Sequence, residues 1–257
     1  MPSMPSSWTA FKHQHQKIKK RVFVSGEGPP VIVIHELPGM ILECVSFAEK
    51  LRDEGFTVYL PLLFGRPNMK VEPTFTWLRY PIMMCIRREL YLFKKQTTSP
   101  IMDWLRSLSQ HVNQKHQLDR VGAIGMCMTG GFVVPMMLDD FLQAPVMSQP
   151  AFPTGHDDFG VDQSVIKAVQ QRCEAGAQIK TYRFSEDPVS KPEKIKAYQE
   201  TFGDALLYEE LPSTFQHQNN LGCHSVFTGD YSDKDGSPSK LAFLDLVAFF
   251  NEKLKTV

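Results

Sequence analysis

Val31-Ile32-Val33-Ile34 is an unbroken apolar run between Pro30 and Pro38, which suits a strand buried on both faces. From there to the end of the chain one pattern repeats: a short β-branched run, a turn, then an amphipathic stretch. Residues 41–54 carry apolar side chains at 41, 42, 45, 48 and 51, a helical stripe that Gly55 closes. Residues 56–60 read as the next strand, stopped by Pro61. Further strands are expected at 121–124, 146–148, 179–184 and 206–210. Helices are expected at 82–93, 100–112, 162–174, 192–202 and 239–253, and another from the turn at 125–131 to about Leu142. Such alternation predicts an α/β fold, a doubly wound and mostly parallel sheet with helices on both faces.

A chain of 257 residues is long enough to close one large core, so a single domain over 1–257 is expected. Residues 1–12, rich in Ser and Pro at their start, are expected to form a disordered tail. The irregular stretch within 61–98 is expected to cover a substrate pocket. Lys and Arg number 28, as do Asp and Glu, so the chain lacks the basic excess of a nucleic-acid binder. No apolar run approaches the roughly 20 residues that a membrane helix needs. The polar first twenty residues do not form a secretory signal. Five cysteines at scattered spacings (Cys44, Cys85, Cys127, Cys173, Cys223) read as reduced thiols of a cytoplasmic protein.

Chemistry concentrates at Gly125-Met126-Cys127, between a buried strand and a helix. A nucleophile on so sharp a turn needs small neighbours, and the helix N-terminus favours a thiolate or an oxyanion. The plainer alternative is a buried cysteine whose glycines serve only close packing. A nucleotide-binding loop is disfavoured, because Gly122-Ala123-Ile124-Gly125 does not complete G-x-G-x-x-G and no P-loop lysine follows. An acid should follow a later strand, and a histidine should precede the last helix. Asp187, in Ser185-Glu186-Asp187-Pro188, and His224, in Gly222-Cys223-His224-Ser225, occupy those places, 60 and then 37 residues further on. Glu186 and His217 are the competing acid and histidine. Asp187 before a proline could equally be only a turn initiator.

Glu36 stands in His35-Glu36-Leu37-Pro38-Gly39, just after the first buried strand, which would bring a carboxylate near the thiol. The backbone N–H groups of Leu37 and Met128 are the expected oxyanion donors. No His, Cys, Asp or Glu cluster has metal-ligand spacing in sequence, and His13-x-His15 is read as part of the N-terminal tail, so neither metal nor cofactor is expected.

These motifs, with Ser148-Gln149-Pro150, make the chain similar to the dienelactone hydrolase family, a branch of the α/β-hydrolases. The similarity runs from about residue 17 to the end. It implies a Cys127–His224–Asp187 triad that cleaves an ester or lactone, with Glu36 restraining the resting thiol. In this chain Thr129 stands where the family prototype has glycine, so Gly125-Met126-Cys127-Met128-Thr129-Gly130-Gly131 resembles a variant branch. The family also binds a substrate carboxylate through arginines. Arg79, Arg87 and Arg88 are candidates, with Trp77 as an apolar neighbour, although none aligns with the prototype. Arg87 and Arg88 read better as a solvated helix face. A catalytically silent binding or regulatory protein is the alternative. A redox thiol is weaker still, because no C-x-x-C motif is present. The substrate is a small molecule, with neither nucleic acid nor membrane as partner, and the sequence leaves the oligomeric state open.

Overall fold

A computed structural model describes residues 4–69, 98–153, 155, 158–213 and 223–255. Among these, eight strands form one sheet: β1 Thr9–His15, β2 Ile18–Ser25, β3 Pro30–Ile34, β4 Thr57–Pro61, β5 Val121–Met126, β6 Leu142–Ser148, β7 Ile179–Phe184 and β8 Leu206–Leu211. Their order is β1-β2-β4-β3-β5-β6-β7-β8. The β1–β2 and β2–β4 pairs are antiparallel, and every pair from β4 to β8 is parallel. The helices are α1 Leu42–Asp53, α2 Pro100–His116, α3 Val133–Met136, α4 Gln163–Glu174, α5 Pro192–Phe202 and α6 Pro238–Leu254.

The central strands β3, β4 and β5 are buried at every residue, which is why they are continuous apolar runs without alternation. One core layer packs α2, α3, α4 and Tyr198 and Phe202 of α5 on one face of the sheet. The second packs Cys44, Val45, Phe47, Ala48 and Leu51 of α1 with the apolar stripe of α6 on the other. Both faces are therefore covered, as the alternation predicts.

Three expectations are corrected. The segment 1–12 is not a tail throughout, since Trp8 is buried and β1 begins at Thr9. The β1–β2 hairpin escaped the sequence reading because β1 mixes Lys, His and Gln with few apolar residues, as an edge strand does, and Lys19-Lys20-Arg21 interrupts the apolar positions of β2. The helix expected to reach Leu142 is instead a 3₁₀ turn over Cys127–Phe132 followed by α3, which stops at Met136. Tight turns, with Met137, Leu138 and Asp139 each bonding the carbonyl three residues back, carry the chain from α3 to β6. The strand read at 146–148 accordingly starts earlier, at Leu142. The helix expected at 82–93 and most of the pocket cover lie outside the described residues.

Candidate active site

From β3 the chain crosses to β4 on one side, while β5 lies on the other, so the two loops leaving β3 and β5 part at their carboxyl ends. Such a crevice is where doubly wound sheets bind ligands. Ile34 pairs with Gly125, and Met126 with Ser148. Continued past the strand ends, that register brings Glu36, two residues beyond β3, level with Cys127 and Gln149, which directly follow β5 and β6.

Cys127 has φ of 53°, a conformation that only a tightly held non-glycine residue adopts. The turn admits no bulk beside it. A Cβ on Gly125 would stand 2.2 Å from the Thr129 carbonyl oxygen, and one on Gly130 would stand 2.8 Å from Pro150 Cα. Thr129 explains its own departure from glycine. Its Oγ1 accepts from the Met126 N–H at 3.1 Å and lies within donor range of the Ile34 and Met126 carbonyls at 3.0 and 2.9 Å. One buried hydroxyl thus ties the turn to the end of β3. The Cys127 carbonyl accepts from the Ala151 N–H at 3.0 Å. Helical turns continue only from Cys127 to Met136, so the helix behind the thiol is shorter than the sequence suggests. The helix dipole is correspondingly limited, and the free N–H groups of the first turn carry its effect.

His224 Nδ1 lies 2.9 and 2.7 Å from the two carboxylate oxygens of Asp187. Asp187 is also a turn initiator: its Oδ1 accepts from the N–H groups of Val189 and Ser190 at 2.8 and 2.9 Å. Asp187 thus initiates a turn and faces His224 at the same time. Glu186 is exposed, and it is Asp187 that bonds the His224 ring. Behind the turn, the buried Arg183 donates to the Ser190 and Ser185 carbonyls and to Glu210 Oε1. Asp230, buried, accepts the backbone N–H groups of His224 and Ser225 at 2.7 and 2.8 Å, which fixes the histidine loop. Burial alone would lower the His224 pKa. The neighbouring Cys127 and the hydrogen bonds to Asp187 and Cys127 outweigh it, so the imidazole titrates well above its ordinary value.

Glu36 is buried beside them. Its carboxylate accepts from Gln149 Nε2 at 3.3 Å, Ser225 Oγ at 3.1 Å and Thr228 Oγ1. Burial raises its pKa, while His224 and these three donors pull it back. Donor atoms of Glu36, Cys127 and His224 all lie within 4.8 Å of one another. The neighbouring His35 accepts the Leu63 N–H at Nε2 (3.1 Å), so its proton sits on Nδ1, toward the Glu36 carbonyl. Burial holds it neutral, with a pKa lowered to about 4.

The fold thus gathers Cys127, His224, Asp187 and Glu36. It sets Leu37 after β3 and Met128 in the turn behind Cys127. Arg79, Arg87, Arg88, Trp77 and the competing His217 lie outside the described residues. Sequence reasoning missed Thr228, Asp230 and Arg183, and it quoted Gln149 and Ser225 without a role. Only the loop closure around His224 brings the first two near Glu36 and the histidine backbone.

The eight-stranded order with a cysteine at the β5 turn defines an α/β-hydrolase fold. Residues 18–201 match the model of the dienelactone hydrolase family, and the chain belongs to that family. Solved structures agree in fold. A dienelactone hydrolase from Anabaena variabilis is 13% identical with a TM-score of 0.57, the match covering 96% of this chain and 98% of that one. A cold-adapted esterase from an Arctic intertidal metagenomic library is 10% identical with a TM-score of 0.59, covering 99% and 100%. A lidless serine hydrolase from Xanthomonas campestris is 15% identical with a TM-score of 0.56, covering all of both chains. No curated protein sequence matches the chain significantly. Among the described residues no helix is long and apolar enough to cross a membrane.

Proposed function

We propose that this chain hydrolyses a small carboxylic ester or lactone through a thioester on Cys127. The observation that carries the reading is His224, which bonds Asp187 through Nδ1 and leaves Nε2 for the sulfur. The Cys127 sulfur attacks the carbonyl carbon, and its proton resides on His224 Nε2. The carbonyl π-electrons move to oxygen, where the N–H groups of Leu37 and Met128 receive the negative charge. Collapse expels the alkoxide, which takes the proton from His224 and leaves as the alcohol, or stays tethered if the substrate is a lactone. Water then gives its proton to His224 and attacks the thioester, releasing the acid and restoring the thiol. Asp187 holds the imidazole in the productive tautomer and stabilises its charged form.

Turnover of a p-nitrophenyl ester tests this. Cys127→Ala and His224→Ala should each lower kcat/KM by on the order of 10³ or more, since the members act as a unit. Intact mass should show an acyl adduct on wild type alone. Full activity in Cys127→Ala defeats the proposal. A folded wild type inert to every ester and lactone offered would favour the silent binding protein instead.

A further inference from the structure

No pair of ligands is close in sequence, yet the fold assembles a thiol, an imidazole and a carboxylate whose donor atoms lie within 4.8 Å of one another. Sulfur, nitrogen and oxygen ligands in this combination suit a borderline-soft divalent cation that takes four ligands in a tetrahedron. Each donor is already oriented from behind. His224 Nδ1 is fixed by Asp187, which leaves the buried Nε2, with only the Cys127 sulfur beside it and no nitrogen or oxygen partner, as the ligand atom. Glu36 is held by Gln149, Ser225 and Thr228, and Cys127 by its strained turn. Supported ligands of this kind raise metal affinity, because little freedom is lost on binding. A hard cation such as Mg²⁺ is a poor match, having no use for the thiolate.

We infer that Cys127, His224 and Glu36 form a three-ligand Zn²⁺ site, with water as the fourth ligand, and that zinc occupancy switches the hydrolase off. The switching rests on the proposed function, whereas the binding does not. The chemistry of inhibition is direct. The zinc–sulfur bond uses the electron pair that would attack the carbonyl, and the zinc–nitrogen bond uses the position that would accept the proton. Binding expels one proton from the thiol–imidazole pair, and a second wherever Glu36 enters protonated. No electron transfer is involved. Affinity should fall at least about tenfold for each pH unit below neutrality, one proton being released per metal bound.

The full chain, stripped with chelator, is titrated with ZnCl₂ by calorimetry in parallel with Cys127→Ser, His224→Gln and Glu36→Gln. Wild type should bind one zinc. Cys127→Ser and His224→Gln should each weaken that event at least about a hundredfold, and Glu36→Gln about tenfold or more. Co²⁺ in place of zinc should produce thiolate charge-transfer absorption that is absent from Cys127→Ser. If a variant fails to fold by circular dichroism, protection of wild-type Cys127 from iodoacetamide by one equivalent of zinc replaces it, read by peptide mass. Unchanged binding in Cys127→Ser would assign the metal elsewhere, for instance to the half-buried His13 and the exposed His111, whose ring centroids lie 5.5 Å apart, and would overturn the proposal. No binding to wild type would overturn it equally. Ester hydrolysis that persists with the site filled would overturn the switch. A wild type that binds zinc through Cys127 but never turns over ester would leave the site standing and sink the hydrolase reading.

Discussion

At the residue scale, the charge balance around Cys127 is set by two neighbours of opposite effect. His224, in its charged form, favours a thiolate, whereas a carboxylate at Glu36 repels one. Glu36 is not free to swing away, since Gln149, Ser225 and Thr228 hold it. Replacing it by glutamine keeps the shape and removes only the charge. Glu36→Gln should therefore be alkylated by iodoacetamide several-fold faster near neutral pH and oxidise more readily on storage. The other described cysteines form a slow background, because burial pushes the thiols of Cys44, Cys173 and Cys223 up. Alkylation rates across pH for wild type, Glu36→Gln and Cys127→Ala measure the effect. A profile unchanged in Glu36→Gln would mean that Glu36 does not restrain the thiol. Thr129 shows how one side chain can be opaque in sequence. It looks like a lapse from a glycine motif, yet its hydroxyl joins the turn to the carbonyl of Ile34.

At the element scale, the acid loop depends on a residue that no motif marks. Arg183 is a cation in the strand Ile179–Phe184, where an apolar residue would be expected, and it is nearly fully buried. Its guanidinium reaches past the turn that carries Asp187, bonding the carbonyls of Ser185 and Ser190 on either side and Glu210 on β8. Arg183→Leu leaves those carbonyls and Glu210 without their donors. It should cost on the order of 2–4 kcal/mol, read as a lower urea midpoint at unchanged slope. Ester turnover should fall as well, because Asp187 loses the support of its turn. An Arg183→Leu protein as stable and active as wild type would show that the Asp187 turn stands on its own hydrogen bonds to Val189 and Ser190. Gly125 is the opposite case, legible from the start. Its missing side chain is demanded by the Thr129 carbonyl, so Gly125→Val should fail to fold or should misplace Cys127.

At the scale of the whole molecule, buried histidines make stability depend on pH. His35 is neutral in the fold, with a pKa of about 4, and returns to about 6.5 when the chain unfolds. The unfolded state thus binds more protons, so the His35 contribution is fully present above pH 6.5 and is lost as pH falls toward 4. Between pH 7.5 and pH 5 the loss should be about 2 kcal/mol. His13 acts in the same direction, its pKa lowered by burial and by His111 and His15. His224 acts in the opposite one, because its raised pKa supplies stability at low pH that is lost as pH rises through the folded value. Burial likewise raises Glu36, so stability falls as its carboxyl ionises. His35→Gln isolates one contribution, since a glutamine oxygen can still accept the Leu63 N–H. Urea unfolding at pH 7.5 and pH 5 should show wild type losing about 2 kcal/mol more than the variant. Equal losses would mean that His35 does not titrate between the two states.

The strand–helix alternation, the sharp turn at Cys127 and the order of Cys127, Asp187 and His224 were legible without coordinates. Each rests on local chemistry: continuous apolar runs where a strand is buried on both faces, glycine where a Cβ would strike a carbonyl, and turns at strand ends. The edge hairpin at Thr9–His15 and Ile18–Ser25 was not legible, because β1 buries no residue and Lys19-Lys20-Arg21 breaks the apolar pattern of β2. Which carboxylate faces His224 was decided by the tertiary structure, since Asp187 is held inward by the Val189 and Ser190 amides while Glu186 stays in water. The same holds for the cluster of Glu36, Cys127 and His224. These residues lie far apart in the chain, and only the register of β3 against β5 and the folding back of the His224 loop bring a thiol, an imidazole and a carboxylate to one point.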